Sequence, residues 1–488
     1  MRNCNFPGKI NLRNCNFSPK IIVRICKCYA REVAFMIFKR KIYNKLLDWK
    51  TKSNGTKAIL IEGARRIGKS TIAEEFGKNN YKSYVLIDFS KASPSIKEGF
   101  NSFLNDLDSL FLMISLEYGV TLYKRESLLI FDEVQSFPRA REAIKHLVKD
   151  GRYDYIETGS LISIKENTKD ILIPSEEKSI QMYPMDFEEF SWALGEDRII
   201  DYIKQCFNDK KPLLEPLHKK AMFLFKQYLL VGGMPKVVSA YIEDNKQFEN
   251  VDEEKREILK TYRNDIMKID QNYQSKVLSI YDRIPGFLSS HEKRVKINSL
   301  DTTNRAIAYE ETFFWLADSM ICNECFSSND PNVGLSLTED RTYIKCYMSD
   351  TGLLFSHAFD EYPEVAKSIY SSILQDKLSV NKGMLYENII AQMLVASGHK
   401  LYFYNHYNED KHRNDIEIDF IIISGDKTNV KISPIEVKSS KKYTTTSLEK
   451  FNLTFKKRIS NSYIIHPKNL SIRDDGIICI PAYMTFCL

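Results

Sequence analysis

The stretch Lys57–Phe76, KAILIEGARRIGKSTIAEEF, constrains this chain more than any other. Ala58–Ile61 is a short apolar run that reads as a buried strand. Gly63-Ala-Arg-Arg-Ile-Gly68-Lys69-Ser70 has the spacing GxxxxGK[ST], and a helix pattern follows from Ser70. The glycines let the backbone curl until successive N–H groups face one point. The start of the helix adds a positive dipole there. Strand, loop and helix in this order predict a phosphate cradle at the edge of an α/β sheet. Its expected members are Gly63, Arg66, Gly68, Lys69, Ser70 and Thr71. Lys69 reaches the β- and γ-phosphates of ATP, and the Ser70 hydroxyl ligates Mg²⁺.

A second half of the same site is expected downstream. Glu126–Gln135, ESLLIFDEVQ, is a buried-strand run that ends in two acids. Asp132, at the end of that strand, suits a carboxylate that holds Mg²⁺ through water, and Glu133 suits the base that polarises an attacking water. Ser83–Ser90 is another strand. Tyr153–Ser160, YDYIETGS, is a further one, ending in Thr158 and Ser160, which are placed to touch the γ-phosphate or the water. Arg65, Arg66, Arg139 and Arg141 lie near these motifs, and the sequence singles out none of them as an arginine finger.

The formal net charge of +6 does not describe the body of the chain. Residues 1–35 carry seven Lys/Arg against one acid, Glu32, so this segment accounts for the whole excess. Any nucleic-acid contact therefore has to come from a local patch. Residues 1–35 also contain three eleven-residue units, each opening on Arg with Cys at the third position. Pro7 and Pro19 argue against a helical repeat, and Cys4, Cys15, Cys26 and Cys28 match no common zinc spacing. The segment reads as an upstream extension, with Met36 opening the functional chain. Cys322-Asn-Glu-Cys325 lacks a second Cys or His pair. Scattered thiols, and no apolar run long enough to span a bilayer, predict a cytoplasmic protein without a membrane segment.

Residues 201–271 read as amphipathic helices broken at Gly232-Gly233-Met234-Pro235, a lid or connector. Residues 272–360 have the order of a winged helix: a helix, a short basic strand with Lys293, Arg294 and Lys296, a helix over 304–318, and two strands around a polar loop. The aromatic side of that second helix reads as core, which favours packing or protein contact over reading DNA.

Residues 361–488 end in a third pattern. Glu387 lies on an amphipathic helix, Asp419 on the strand EIDFIII, and Glu436-Val437-Lys438 on the next strand. Strand alternation puts Glu436 and Lys438 on one face. Helix-Glu, strand-Asp and strand Glu-x-Lys is the order of PD-(D/E)xK nucleases. In that chemistry Asp419 and Glu436 bind metal, Glu387 completes the shell, and Lys438 orients the water. The plain alternative is a hairpin with solvent-facing charges.

The order of eight segments is itself informative: IEGARRIGKST, LIFDEVQ, ETGS, MYPMDFEEF, YLLVGGMPKVV, YMSDTGLLF, YENIIAQML and IEVKSS. Together, over about residues 36–460, they resemble a large prokaryotic family of AAA-superfamily ATP-binding proteins with a C-terminal domain of unknown function. The resemblance implies a multidomain α/β chain. An AAA-type P-loop ATPase core (36–200) is followed by a helical connector (201–271), a winged-helix-like segment (272–360) and a small restriction-endonuclease-like α/β domain (361–488). It implies ATP and Mg²⁺ as ligands, and an ATPase whose nucleotide state controls a DNA-directed nuclease-like module. The alternative is a nucleotide switch with an inactive C-terminal module. DNA and further copies of the chain are the expected partners. One departure stands out. Where relatives carry a Gly-Arg pair before the PMDFEEF segment, this chain has Lys178.

Overall fold

The computed structural model describes residues 36–159, 175–245, 247–269, 271–290, 293–296, 306–360, 363–375, 377, 382–408, 413–426 and 429–488. Residues 1–35 and Ser160 lie outside them. Residues 38–488 form a single unit.

The first sheet has five strands, β1 (Ala58–Glu62), β2 (Ser83–Asp88), β3 (Ser127–Asp132), β4 (Asp154–Gly159) and β5 (Glu177–Gln181), in the order β2-β3-β4-β1-β5. All its pairings are parallel. Every residue of β3 is buried, because helices cover both faces of the sheet. Leu128 and Ile130 face Ile72 and Phe76 of the helix Lys69–Asn80. Leu129 and Phe131 face Ile144 and Leu147 of the helix Pro138–Asp150. The C-terminal ends of β1, β3 and β4 meet at one edge, where open α/β sheets place their ligands.

The second sheet has nine strands. They are β6 (Val295–Lys296), β7 (Cys322–Ser328), β8 (Glu339–Met348), β9 (Leu401–Asn408), β10 (Arg413–Asp426), β11 (Asn429–Val437), β12 (Tyr463–His466), β13 (Ser471–Ile472) and β14 (Ile478–Pro481). Their order is β13-β14-β12-β11-β10-β9-β7-β8-β6. The helix, short strand, helix and hairpin expected within 272–360 are present. However, β7 pairs in parallel with β9, with Phe326 opposite Tyr402. The expected wing is thus part of the C-terminal sheet, and the boundary expected at 360/361 runs through that sheet. Backbone pairing across the gap, which residue periodicity does not encode, makes the difference. The boundary expected at 200/201 likewise falls inside the helix Asp197–Asn208.

The helix Glu215–Val231 packs against both regions. Its Phe225 and Tyr228 contact Phe187, and Phe225 also contacts Tyr386. The Tyr228 hydroxyl donates to the Met185 carbonyl at 2.9 Å and accepts from Gln392 at 2.9 Å. The last turn of the chain returns to this region, where Phe486 packs on Phe187. Such aromatic contacts exclude water over a large area, each buried ring contributing about 2–3 kcal/mol.

Candidate functional site

The loop after β1 curls as its glycines allow. Gly68 caps the helix Lys69–Asn80 at φ 91°, a left-handed conformation that costs glycine nothing. Arg66 is also left-handed, at φ 68°, and its side chain is exposed. Gly63 leaves no room for a side chain, since a Cβ there would lie 2.5 Å from the Met182 carbonyl oxygen. The Lys69 ammonium is buried and donates to the Gly63 and Ala64 carbonyls at 2.9 Å each. Burial pushes its pKa down to about 8, against the opposing pull of Glu133 and Asp132. Binding a phosphate requires Lys69 to exchange those carbonyls for phosphate oxygens.

Three expected residues converge beside it. The Ser70 hydroxyl donates to Asp132 Oδ1 at 2.6 Å, and the Thr158 hydroxyl donates to the same oxygen. Ser70 comes from the helix, Asp132 from the end of β3 and Thr158 from the end of β4. Ser70 and Asp132 supply hard oxygen donors of the kind Mg²⁺ takes, so the residues fit that ion. Thr71 is exposed one position further along the helix. Glu133 leaves β3 in a left-handed conformation, φ 52°, uncommon for a side chain of its size. The Gln135 amide donates to its carboxylate. Lys178 is exposed on the edge strand β5, whereas its neighbour Glu177 is held by Arg141 through two hydrogen bonds of 2.8 and 3.0 Å.

Sequence reasoning missed what fixes the loop from outside. Arg40 is buried and donates to the Ile67 carbonyl at 3.0 Å and the Tyr183 carbonyl at 2.6 Å. Its Nε lies 3.1 Å from Glu189 Oε2. Arg65 pairs with Asp265 at 2.8 Å, and the Tyr262 hydroxyl reaches the Arg65 carbonyl at 3.3 Å. The loop is therefore tied to the helix Glu249–Ile266. Arg40 precedes every motif and carries no spacing signal. Asp265 is one acid among many on an amphipathic helix.

The C-terminal residues also come together, though in a different way than expected. Asp419 accepts from the Val437 amide at 2.7 Å, and Lys438 pairs with Glu436. Burial pushes the Glu436 carboxyl up to about 7, and its Oε2 has no hydrogen-bond partner among the described residues. Glu387, expected to complete a metal shell, is instead surrounded by donors. Tyr347 donates to its Oε1 at 2.6 Å, Lys345 to the same oxygen at 3.1 Å, and Lys293 to Oε2. Lys345 also lies 3.9 Å from Asp419. Among the described residues no group of three or more His, Cys, Asp or Glu is arranged to hold a metal ion. The Lys345 ammonium thus occupies space beside both Glu387 and Asp419. The signal was legible in principle, since Lys345 interrupts the buried end of β8, where its neighbours Ile344, Cys346, Tyr347 and Met348 are apolar or aromatic.

Comparison with known proteins follows the same division. Residues 55–191 match the model of a family described as an AAA domain. These residues form a P-loop domain of the AAA class. Residues 222–361 and 382–484 match two further models, each described as a domain of unknown function (DUF8612 and DUF4143). No curated protein matches the chain. Among solved structures, AMPPCP-bound DnaA from Aquifex aeolicus is similar over 57% of this chain and 80% of its own, at 11% identity and TM-score 0.25. The Aeropyrum pernix ORC1 protein in complex with DNA is similar over 68% of this chain and 95% of its own, at 9% identity and TM-score 0.26. No helix among the described residues is long and apolar enough to cross a membrane.

Proposed function

We propose that this chain is an ATP-dependent switch. Its AAA-class domain binds and hydrolyses ATP, and its C-terminal half docks a partner under control of the nucleotide state. One observation carries the reading: Ser70, Asp132 and Thr158 meet at one carboxylate oxygen beside Lys69, at the end of a loop tied to the helical connector. Lys69 and the loop amides bind the phosphates. Ser70 and Asp132 hold Mg²⁺, which when bound neutralises charge on the β- and γ-phosphates. Glu133 polarises the attacking water, and Thr158 orients it. Ser160, next to this edge in sequence, is a further proposed contact. Hydrolysis ends the hold of the γ-phosphate on this edge and frees the connector to change its packing. A cytoplasmic setting, DNA as partner and assembly with further copies belong to the same proposal.

The test separates binding from turnover. Lys69→Ala loses nucleotide binding, measured with a fluorescent ATP analogue. Glu133→Gln keeps binding and loses at least about a hundredfold in turnover. Unchanged turnover in Glu133→Gln would remove it as the base.

A second reading, nuclease activity at Asp419, Glu436 and Lys438, is favoured by the buried Glu436 oxygen that has no partner among the described residues. A Mg²⁺- or Mn²⁺-dependent DNA-cleavage assay, with and without ATP, decides it. Cleavage lost in Glu436→Ala and Lys438→Ala supports cutting, and no difference from wild type supports docking.

A further inference from the structure

The C-terminal carboxylate centre carries its own cation. Lys345 projects from β8, which lies between β7 and β6 in the sheet, and its side chain is 1% exposed. Its stem ends over the Phe403 ring, with the ammonium 5.2 Å from the ring centre. That ammonium stands 3.1 Å from Glu387 Oε1 and 3.9 Å from Asp419 Oδ1. Two residues further along the same strand face, Tyr347 donates to Glu387. Lys293, near β6, takes the other oxygen of Glu387. Asp419 is held in turn by the backbone amide of Val437. Lys345 thus joins the helix Lys382–Ala396 to β8, β10 and, through Asp419, β11, and Lys293 supplies a second positive charge at Glu387.

We propose that Lys345 is the resident cation of this centre and replaces a divalent metal ion between Glu387 and Asp419. A metal ion there would need oxygens at about 2.0–2.6 Å, in the space the ammonium fills. A divalent ion beside this ammonium would also be repelled by it, the more so because the side chain is shielded from water. The lysine cannot swing into solvent, because its stem is buried in the sheet. The centre is therefore assembled without divalent metal, and the buried ammonium holds its carboxylates and the elements that carry them together. This goes beyond the switch reading and does not depend on nucleotide binding.

The test uses the full chain without nucleotide and Mn²⁺ alone as the probe, followed by electron paramagnetic resonance. Any ion held at Ser70 and Asp132 is common to all variants, so differences between variants report the C-terminal centre. Wild type and Asp419→Asn are expected to bind the same number of Mn²⁺ ions. EDTA is expected to shift the Tm of both by the same amount, since any ion it removes lies at Ser70 and Asp132. Lys345→Met is expected to lower the Tm by several degrees and to gain one Mn²⁺ ion, with part of the Tm restored. A Mn²⁺ ion bound by wild type and lost in Asp419→Asn would overturn the proposal. So would a Lys345→Met chain that keeps the wild-type Tm. Where Lys345→Met does not fold, the comparison of wild type with Asp419→Asn still decides.

Discussion

Arg40 and His466 show how single buried polar groups set the behaviour of this molecule. Arg40 holds the phosphate loop by its backbone, through Ile67 and Tyr183, so the shape of the loop does not rest on its own residues alone. His466 sits on β12, 2% exposed, with Nδ1 2.7 Å from the Tyr443 hydroxyl and Nε2 3.3 Å from the Asn469 carbonyl. Burial pushes its pKa down from 6.5 to about 4. The unfolded chain takes up the proton at about 6.5, and the folded chain resists it. The stability contributed by neutral His466 is therefore complete above pH 6.5 and is lost as the pH falls toward 4. Urea unfolding at pH 7 and pH 5 is expected to show a smaller acid loss in His466→Asn than in wild type. Equal losses would show that this ring does not carry the effect.

Among the elements, the turn between the helices Glu215–Val231 and Pro235–Glu243 has the most to do in the least space. Gly232 has a positive φ of 81°, which favours glycine, and a Cβ on it would meet Asp350 Oδ1 at 2.1 Å. At Gly233 a Cβ would lie 2.0 Å from the Met185 carbonyl oxygen, a clash of backbone with side chain that no rotamer relieves. The Gly233 amide donates to Asp350 at 2.6 Å, and its carbonyl accepts from Met185 at 2.7 Å. Asp350 also caps the helix Thr351–Ala358 through the Leu353 amide at 2.9 Å. The turn thus joins the AAA-class domain to the C-terminal half, and Pro235 lies beside Gly68 of the phosphate loop. Gly233→Ala is expected to cost about 3 kcal/mol or more, read from chemical denaturation. A loss below about 1 kcal/mol would mean the turn relaxes. In the sequence the two glycines read only as a helix break, because their partners, Met185 and Asp350, are far away along the chain.

Across the whole molecule, the nucleotide edge and the helical connector are in direct contact. Arg65 in the loop meets Asp265 at the end of the helix Glu249–Ile266, and Tyr262 reaches the loop backbone one turn earlier. Nucleotide binding is expected to slow amide hydrogen exchange over residues 255–266. In Asp265→Ala most of that protection should be lost, while nucleotide affinity falls less than about tenfold, as suits a partly exposed pair. Exchange unaffected by nucleotide in wild type would break the link. The P-loop spacing, its strand–loop–helix setting and the acids at the end of β3 were determined by the sequence alone. Glycine spacing and a buried strand act over a few residues, and local rules read them. The alternation of Glu436 and Lys438 and the helical middle are local in the same way. Only the tertiary structure decided that β7 joins β9 in one sheet, that Arg40 grips the loop, and that Lys345 stands between Glu387 and Asp419. Each of these depends on groups far apart in the chain meeting where water is excluded, and residue periodicity carries no record of such meetings.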